Sequence, residues 1–187
     1  MSLRQQPTLD EFLAWPEKKP YLEYIHGEVR QKAMPNAAHS YLQSQLAKRL
    51  ANWRDYPQGF VLTEQRCILV SGGETHTLLP DVAWFSPEQL PVLPAGPVRV
   101  PPTLVVEIVS PDDSFSEVEE KVLTYLGAGV NLVWVVDPKA RKVSVHRLGH
   151  PPVFVGRNDV LQDALLPGLA ISLAELFAPL PESSQPV

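Results

Sequence analysis

The sequence has few of the features that would place it in a specialised class of protein. Cys67 is the only cysteine among 187 residues, so the chain has no intramolecular disulfide, and no Cys/His cluster indicates zinc. No apolar run approaches the roughly 20 residues that span a membrane, and the first residues lack the apolar core of a signal peptide. We therefore expect a cytoplasmic protein with no membrane partner.

Basic charge is also scarce. The chain has 16 Lys and Arg against 21 Asp and Glu, which gives a net charge of -5. This balance argues against a general nucleic-acid coat protein, because such proteins present a basic face. It does not exclude a nuclease, because metal-binding carboxylates contribute negative charge.

One stretch of the chain carries a charge where an apolar residue is expected. Residues 104–110 are aliphatic except for Glu107 and Ser110, a pattern typical of a central strand covered on both faces. Burying an unpaired charge costs several kcal/mol. Glu107 therefore needs a cationic partner or a raised pKa.

Two other residues are candidates to meet this carboxylate. Strand alternation places Val105, Glu107 and Val109 on one face. Asp81 stands at the entrance of a predicted strand, and Lys121 lies in the helix predicted after the Glu107 strand. An Asp and a Glu with a Lys beside them form a typical divalent-metal hydrolase site. We expect the two carboxylates to lie close enough to share one ion.

Capping residues and apolar spacing predict the helices, and alternation predicts the strands. In chain order these elements are a helix from 9 to about 15, a hairpin over 21–32 turning at Gly27, a helix from 36 to about 55, strands 60–63, 67–70 and 82–85, the strand 104–110, a helix from 114 to 126, strands 131–136, 142–146 and 152–155, and a helix over 174–177. A loop over 86–102 holds six prolines, and we expect it to border the site. We expect one domain, with a core over about 36–136 and a flexible tail over 178–187.

Each candidate also has a purely structural interpretation. Asp81 fits a turn cap after Pro80, and Lys121 fits a surface pair with Glu117 on its helix. Taken singly, these interpretations are the better ones. Glu107 differs because its strand gives it no easy access to water, and the three residues together favour a site.

Four more residues have open assignments. His39 lies in the first turn of the helix that begins near residue 36, and its role stays open. Glu23 and Glu28 in the hairpin fit solvated strand positions better than a site. Tyr125 stacks on one side of its helix with Lys121, four residues earlier.

The order of these elements resembles the PD-(D/E)XK nuclease superfamily, the restriction-endonuclease-like fold. It is more closely similar to a large bacterial family usually labelled putative restriction endonuclease. The resemblance implies an α/β (α+β) fold in which helices flank a central mixed β-sheet, with an N-terminal hairpin. The positions that carry it are 21–28, His39, Pro80-Asp81, 107–111, Lys121, Tyr125, Gly129-Val130, 134–138 and 166–169.

The resemblance implies Mg²⁺-dependent hydrolysis of phosphodiester bonds in DNA, most naturally double-stranded DNA. Asp81 and Glu107 would hold Mg²⁺, for which Mn²⁺ substitutes, with the Ile108 carbonyl as a further candidate ligand. Lys121 would position the attacking water or stabilise the negative transition state. The surrounding side chains in this interpretation are His39, Glu117 and Tyr125.

The chain departs from the superfamily pattern at two places. The pattern has a lysine two residues after the Glu, and here that position is Val109. Some members place the lysine on the following helix, which is where Lys121 lies. The Glu often found in the first core helix is absent between Ala37 and Asp55, so the chain has fewer acidic candidates for a second metal ion than the superfamily pattern.

A different class of function is the alternative. The same fold, without catalysis, would serve as a DNA-binding or assembly module, and Val109 and the acidic balance favour this interpretation.

Cutting both strands of a duplex takes two active sites, so we also expect a homodimer or higher homo-oligomer. The strand over 142–146 or the proline-rich loop would supply the contact.

Overall fold

The structure is a computed structural model, and it describes residues 6–53 and 59–181. Its elements follow the predicted order, with three strands added. They are α1 (Leu9–Leu13), β1 (Leu22–Ile25), β2 (Glu28–Gln31), α2 (Ala37–Ala51), β3 (Phe60–Thr63), β4 (Cys67–Ser71), β5 (Glu74–Leu78), β6 (Val82–Phe85), β7 (Leu104–Ile108), α3 (Phe115–Gly127), β8 (Leu132–Asp137), β9 (Lys142–His146), β10 (Val153–Val155), β11 (Val160–Gln162), β12 (Ala170–Ser172) and α4 (Leu173–Phe177).

A six-stranded sheet forms the centre of the domain, in the order β10-β9-β8-β7-β6-β3. The β7–β8 pair is parallel and its neighbours are antiparallel, so the sheet is mixed. All five residues of β7 are buried, as its aliphatic sequence predicted. Helices cover the sheet on both faces, which confirms the expected fold class.

Alternation along β7 divides its side chains between two cores. Leu104, Val106 and Ile108 face the core that contains α2 and α4. Val105 faces the other core, with Tyr125 of α3. Glu107 shares the face of Val105 because side chains two apart point the same way. Its carboxylate is therefore directed toward α3.

A second sheet covers this face of the molecule, in the order β2-β1-β5-β4. The predicted hairpin β1–β2 turns at His26 and Gly27, whose φ angles are 49° and 77°. Strand β5 was not predicted. It pairs with β4 through a tight turn at Gly72 and Gly73 with φ angles of 60° and 83°, which glycine adopts without strain. The N-terminal hairpin is thus half of a four-stranded sheet.

Several boundaries differ from the sequence-based expectations. Helix α1 ends at Leu13, although its Thr8–Glu11 capping box is present. Helix α2 ends at Ala51, and the expected end near residue 55 lies outside the described residues. Near the C-terminus, Leu180 is buried and Arg141 donates to its carbonyl oxygen at 2.9 Å. The chain is therefore packed through Leu180, and residues 182–187 of the expected tail lie outside the described residues.

The proline-rich loop is anchored to β4. The Val98 N–H donates to the Arg66 carbonyl at 2.9 Å, and the Val98 carbonyl accepts from the Ile68 N–H at 2.8 Å. This loop does not line the small cavity at Glu107, whose walls come from β7, α3 and the segment between them. Across the described ranges, no helix is long and apolar enough to cross a membrane.

Candidate active site

Asp81 lies just before β6 and is 1% exposed. Strand β6 stops pairing with β7 at Val106, so the Ile108 N–H has no strand partner on that side and donates to Asp81 Oδ2 at 2.7 Å. The same oxygen lies 3.1 Å from His39 Nε2. Gln43, one turn along α2, donates to the Asp81 carbonyl at 2.9 Å. Oδ2 of Asp81 is thus held by the Ile108 N–H of β7 and by His39 of α2.

Glu107 is also held by one of its two oxygens. The Tyr125 hydroxyl donates to Glu107 Oε1 at 2.6 Å from the buried face of α3. Burial raises the pKa of Glu107 to about 7, because the positive charges of Lys32 and Lys121 only partly offset the loss of solvation. Burial of Tyr125 and the nearby charge of Glu107 both raise the pKa of the Tyr125 hydroxyl.

Lys32 stands between the two carboxylates, a position that the sequence did not predict. Its Nζ lies 2.8 Å from Asp81 Oδ1 and 3.9 Å from Glu107 Oε2, and its side chain is 9% exposed. It also donates to the Leu79 carbonyl. Among the described residues, Asp81 Oδ1 accepts no well-aligned hydrogen bond, so its contact with Lys32 is an ion pair with poor hydrogen-bond angles.

The charges of this group shift the pKa of each member. Burial alone raises the pKa of Asp81, but the adjacent Lys32 and His39 outweigh it and hold that pKa well below its usual range. Burial lowers the pKa of Lys32, and the carboxylates of Asp81 and Glu107 more than reverse that effect. Asp81 and Lys32 are therefore both ionised at neutral pH.

Lys121 is close to the site but pairs with a different carboxylate. Its Nζ lies 2.6 Å from Glu23 Oε2, and the other oxygen of Glu23 accepts from the Leu79 N–H at 2.8 Å. Burial lowers the pKa of Lys121, and the charges of Glu107 and Glu23 raise it further than burial lowers it. The interpretation of Glu23 as a solvated strand residue is wrong, because Glu23 is 1% exposed.

The remaining predicted neighbours divide between the site and the surface. His39 and Tyr125 contact the two carboxylates directly. Glu117 instead accepts from the Ser114 hydroxyl at 2.6 Å and caps α3. The interpretation of Lys121 as a surface partner of Glu117 is therefore wrong, because Lys121 pairs with Glu23. Glu28 is exposed and pairs with Arg30 at 3.1 Å.

A cavity of about 20 Å³ opens beside Glu107 and Lys121. A volume of this size holds about one water molecule. Val109, the position where the superfamily pattern has a lysine, lines the same cavity. The two lysines of the site come from other elements: Lys32 follows the last residue of β2 and contacts the carboxylates, and Lys121 lies in α3 and lines the cavity.

Comparisons with known proteins give the family and the fold of the chain. The model of the Uma2 family, described as putative restriction endonuclease, matches residues 9–174. The chain belongs to the Uma2 family. A solved structure titled as a putative nuclease belonging to DUF820, from Anabaena variabilis ATCC 29413, is similar to it with a TM-score of 0.80 and 30% identity, over 92% of this chain and 98% of that one. No curated protein matches the sequence.

The donor set of this Uma2 site suits a hard divalent cation. Asp81 Oδ1 and Glu107 Oε2 both face one point, and the second oxygen of each carboxylate is held by a protein donor. Mg²⁺ prefers one or two carboxylates and completes its shell with water and phosphate oxygens. The two carboxylates fit that requirement, with Lys32 at the point that they face.

A second group of side chains that could hold a metal ion lies at the hairpin turn. His26 Nδ1 is 2.8 Å from Glu74 Oε2, and His76 Nδ1 accepts from the His26 backbone N–H at 3.3 Å. Two imidazoles and one carboxylate suit zinc or nickel better than magnesium. The donor atoms in this group are already hydrogen-bonded to one another or to the backbone.

Proposed function

We propose that this chain is a metal-dependent nuclease that hydrolyses phosphodiester bonds in double-stranded DNA, with Mg²⁺ held by Asp81 and Glu107. The observation that carries the proposal is the pairing of two buried carboxylates, each with one oxygen fixed and the other facing a shared point. Family membership and the shared fold support the nuclease class.

The surrounding residues support this chemistry by preorganising the two ligands. The Ile108 N–H and His39 hold Asp81 Oδ2, so rotation of the carboxylate is restricted and Oδ1 stays directed inward. The Tyr125 hydroxyl does the same for Glu107 by holding Oε1. A bound Mg²⁺ supplies polarisation of the phosphate and a lowered pKa for a water ligand.

Lys121 is the residue that we assign to the reacting phosphate. It lines the cavity beside Glu107, and its side chain is 18% exposed, so its ammonium reaches both Glu23 and the opening. An ammonium at that opening stabilises negative charge that develops on a phosphate oxygen. Glu23 acts as a positioning residue because it fixes the ammonium through a 2.6 Å contact.

The second candidate function is a non-catalytic DNA-binding or assembly module with the same fold. The observation that favours it is Lys32, whose ammonium compensates part of the negative charge of the Asp81–Glu107 pair without a metal ion. In such a module the buried charges serve folding alone, and exchange of either carboxylate leaves DNA binding unchanged.

Plasmid nicking separates the two candidates. The wild type should nick supercoiled plasmid with Mg²⁺ or Mn²⁺ and be inhibited by EDTA, whereas Asp81→Asn and Glu107→Gln should lose activity by at least a hundredfold. Glu28→Gln is a matched control, because it also exchanges one carboxylate for an amide but at an exposed hairpin position. No metal-dependent nicking by the wild type, with DNA binding retained, would support the module instead.

A further inference from the structure

Two backbone carbonyls hold Lys32 in its buried position, one through its main-chain N–H and one through its ammonium. Its N–H donates to the Tyr21 carbonyl at 2.8 Å, just beyond the end of β2. Its ammonium donates to the Leu79 carbonyl, while Glu23 accepts from the Leu79 N–H at 2.8 Å. The hairpin thus binds both backbone groups of Leu79, two residues before Asp81, and positions the lysine at the site.

The Lys32 ammonium faces the two carboxylate oxygens to which no group in residues 6–53 and 59–181 donates a well-aligned hydrogen bond. It lies 2.8 Å from Asp81 Oδ1 and 3.9 Å from Glu107 Oε2. Magnesium binds carboxylate oxygens at about 2.0–2.1 Å. An ion shared by these two oxygens would therefore occupy nearly the same space as the ammonium, and the two cations exclude each other.

We infer that Lys32 is a resident cation that competes with the divalent ion for Asp81 Oδ1 and Glu107 Oε2, so that the ion binds only when the lysine side chain moves away. This inference rests on the proposed function, because it assumes that these two oxygens are the metal ligands. The lysine stabilises the ion-free protein by compensating two buried carboxylates. The same contacts weaken metal binding.

The charges of the group explain why such a cation is needed. Three buried carboxylates, Glu23, Asp81 and Glu107, face two ammonium groups, Lys32 and Lys121. Lys121 already serves Glu23 at 2.6 Å. Lys32 is therefore the direct partner of the other two, and its removal leaves them as an uncompensated pair that attracts a divalent ion.

Calorimetric titration of Mn²⁺ into wild type and Lys32→Met tests the competition without measuring cleavage. The variant should bind Mn²⁺ at least tenfold more tightly, and Mn²⁺ should raise its Tm by more than it raises the Tm of the wild type. Lys32→Gln removes the charge but keeps a donor for the Leu79 carbonyl, so it serves if Lys32→Met fails to fold.

Two other lysine variants control for charge alone. Lys121→Met removes a charge that acts on Glu107 only through space, because the Lys121 ammonium contacts Glu23. Its effect on Mn²⁺ affinity should be smaller than that of Lys32→Met. Lys142→Met removes a positive charge at the exposed start of β9. Affinity should change less than threefold in Lys142→Met. Equal tightening in Lys121→Met and Lys32→Met would show a general electrostatic effect and overturn the inference.

The outcomes for the inference and for the proposed function are distinct. If the wild type binds Mn²⁺ through Asp81 and Glu107, and the Lys32 variants bind it equally or more weakly, the inference fails and the metal site stands. If neither the wild type nor the Lys32 variants bind Mn²⁺, the proposed function fails and the inference fails with it.

A measurement on the wild type alone covers the case in which no Lys32 variant folds. Reductive methylation, read by mass spectrometry, should modify Lys32 several times faster in the presence of Mn²⁺, because the displaced side chain reaches solvent. An unchanged rate of Lys32 modification at saturating Mn²⁺ would overturn the inference.

Discussion

Replacing Glu107 by Gln tests the electrostatics of the site without any metal ion. The Glu107 pKa is about 7 in the folded protein against 4.5 in the unfolded chain. Above pH 4.5 the unfolded chain therefore binds fewer protons than the folded protein at this residue. Stability contributed by Glu107 consequently falls as pH rises from about 4.5 through about 7. Glu107→Gln does not titrate, so this fall should disappear.

The size of the effect follows from the separation of the two pKa values. At about 1.36 kcal/mol per pKa unit, the interval from 4.5 to about 7 corresponds to roughly 3 kcal/mol. About 2–3 kcal/mol of that total falls between pH 5 and pH 8. Glu107 is buried, so solvent screening does not reduce the figure as it would for a surface carboxylate.

Urea unfolding of wild type and Glu107→Gln at pH 5 and pH 8, both in EDTA, measures this difference. The free energy of unfolding of the wild type should drop by about 2–3 kcal/mol more than that of the variant over this interval. Contributions from other titrating groups largely cancel in the comparison. Parallel pH profiles for the two proteins would refute the assignment of Glu107 as a buried carboxyl with a raised pKa.

Three further predictions concern the neighbours of Glu107 and the assembly. Lys121→Ala should abolish plasmid nicking. It should also lower the free energy of unfolding by about 3–5 kcal/mol, because Glu23 loses its partner. Unchanged nicking activity would show that Lys121 is not part of the site. Tyr125→Phe should cost about 1–3 kcal/mol in urea unfolding at pH 8, since Glu107 Oε1 loses its donor; a cost below 0.5 kcal/mol would contradict that bond. Light scattering at micromolar concentration should show a homodimer, and a monomer alone would count against paired cutting of both strands.

The main elements of the fold could be predicted because their sequence patterns are local. The aliphatic run of β7 predicted a strand covered on both faces, and the Ser114–Glu117 capping box marked the start of α3. Strand β5 was missed because four of its five residues are polar, yet His76 and Thr77 are fully buried. Burial of a polar strand depends on what covers it, which no local pattern records.

Asp81, Glu107 and Lys121 were predicted members of the site, while Glu23 and Lys32 were missed. Strand alternation could have predicted that Glu23 is buried, because Glu23 shares a face of β1 with Ile25, an apolar residue that is 1% exposed. Lys32 had no such signal. Its position depends on the packing of the hairpin against Leu79, a contact 47 residues away in the chain. The sequence therefore predicted that the two carboxylates would lie close together, but not that a lysine would lie between them.

Anomalous diffraction from crystals of the wild type with Mn²⁺ is the most direct test of the central claim. The account predicts one strong peak within about 2.4 Å of both Asp81 Oδ1 and Glu107 Oε2, a distance typical of a metal–carboxylate bond, and no such peak in Asp81→Asn. A saturated crystal with no peak between these two oxygens, or with its peak at His26, Glu74 and His76, would contradict it.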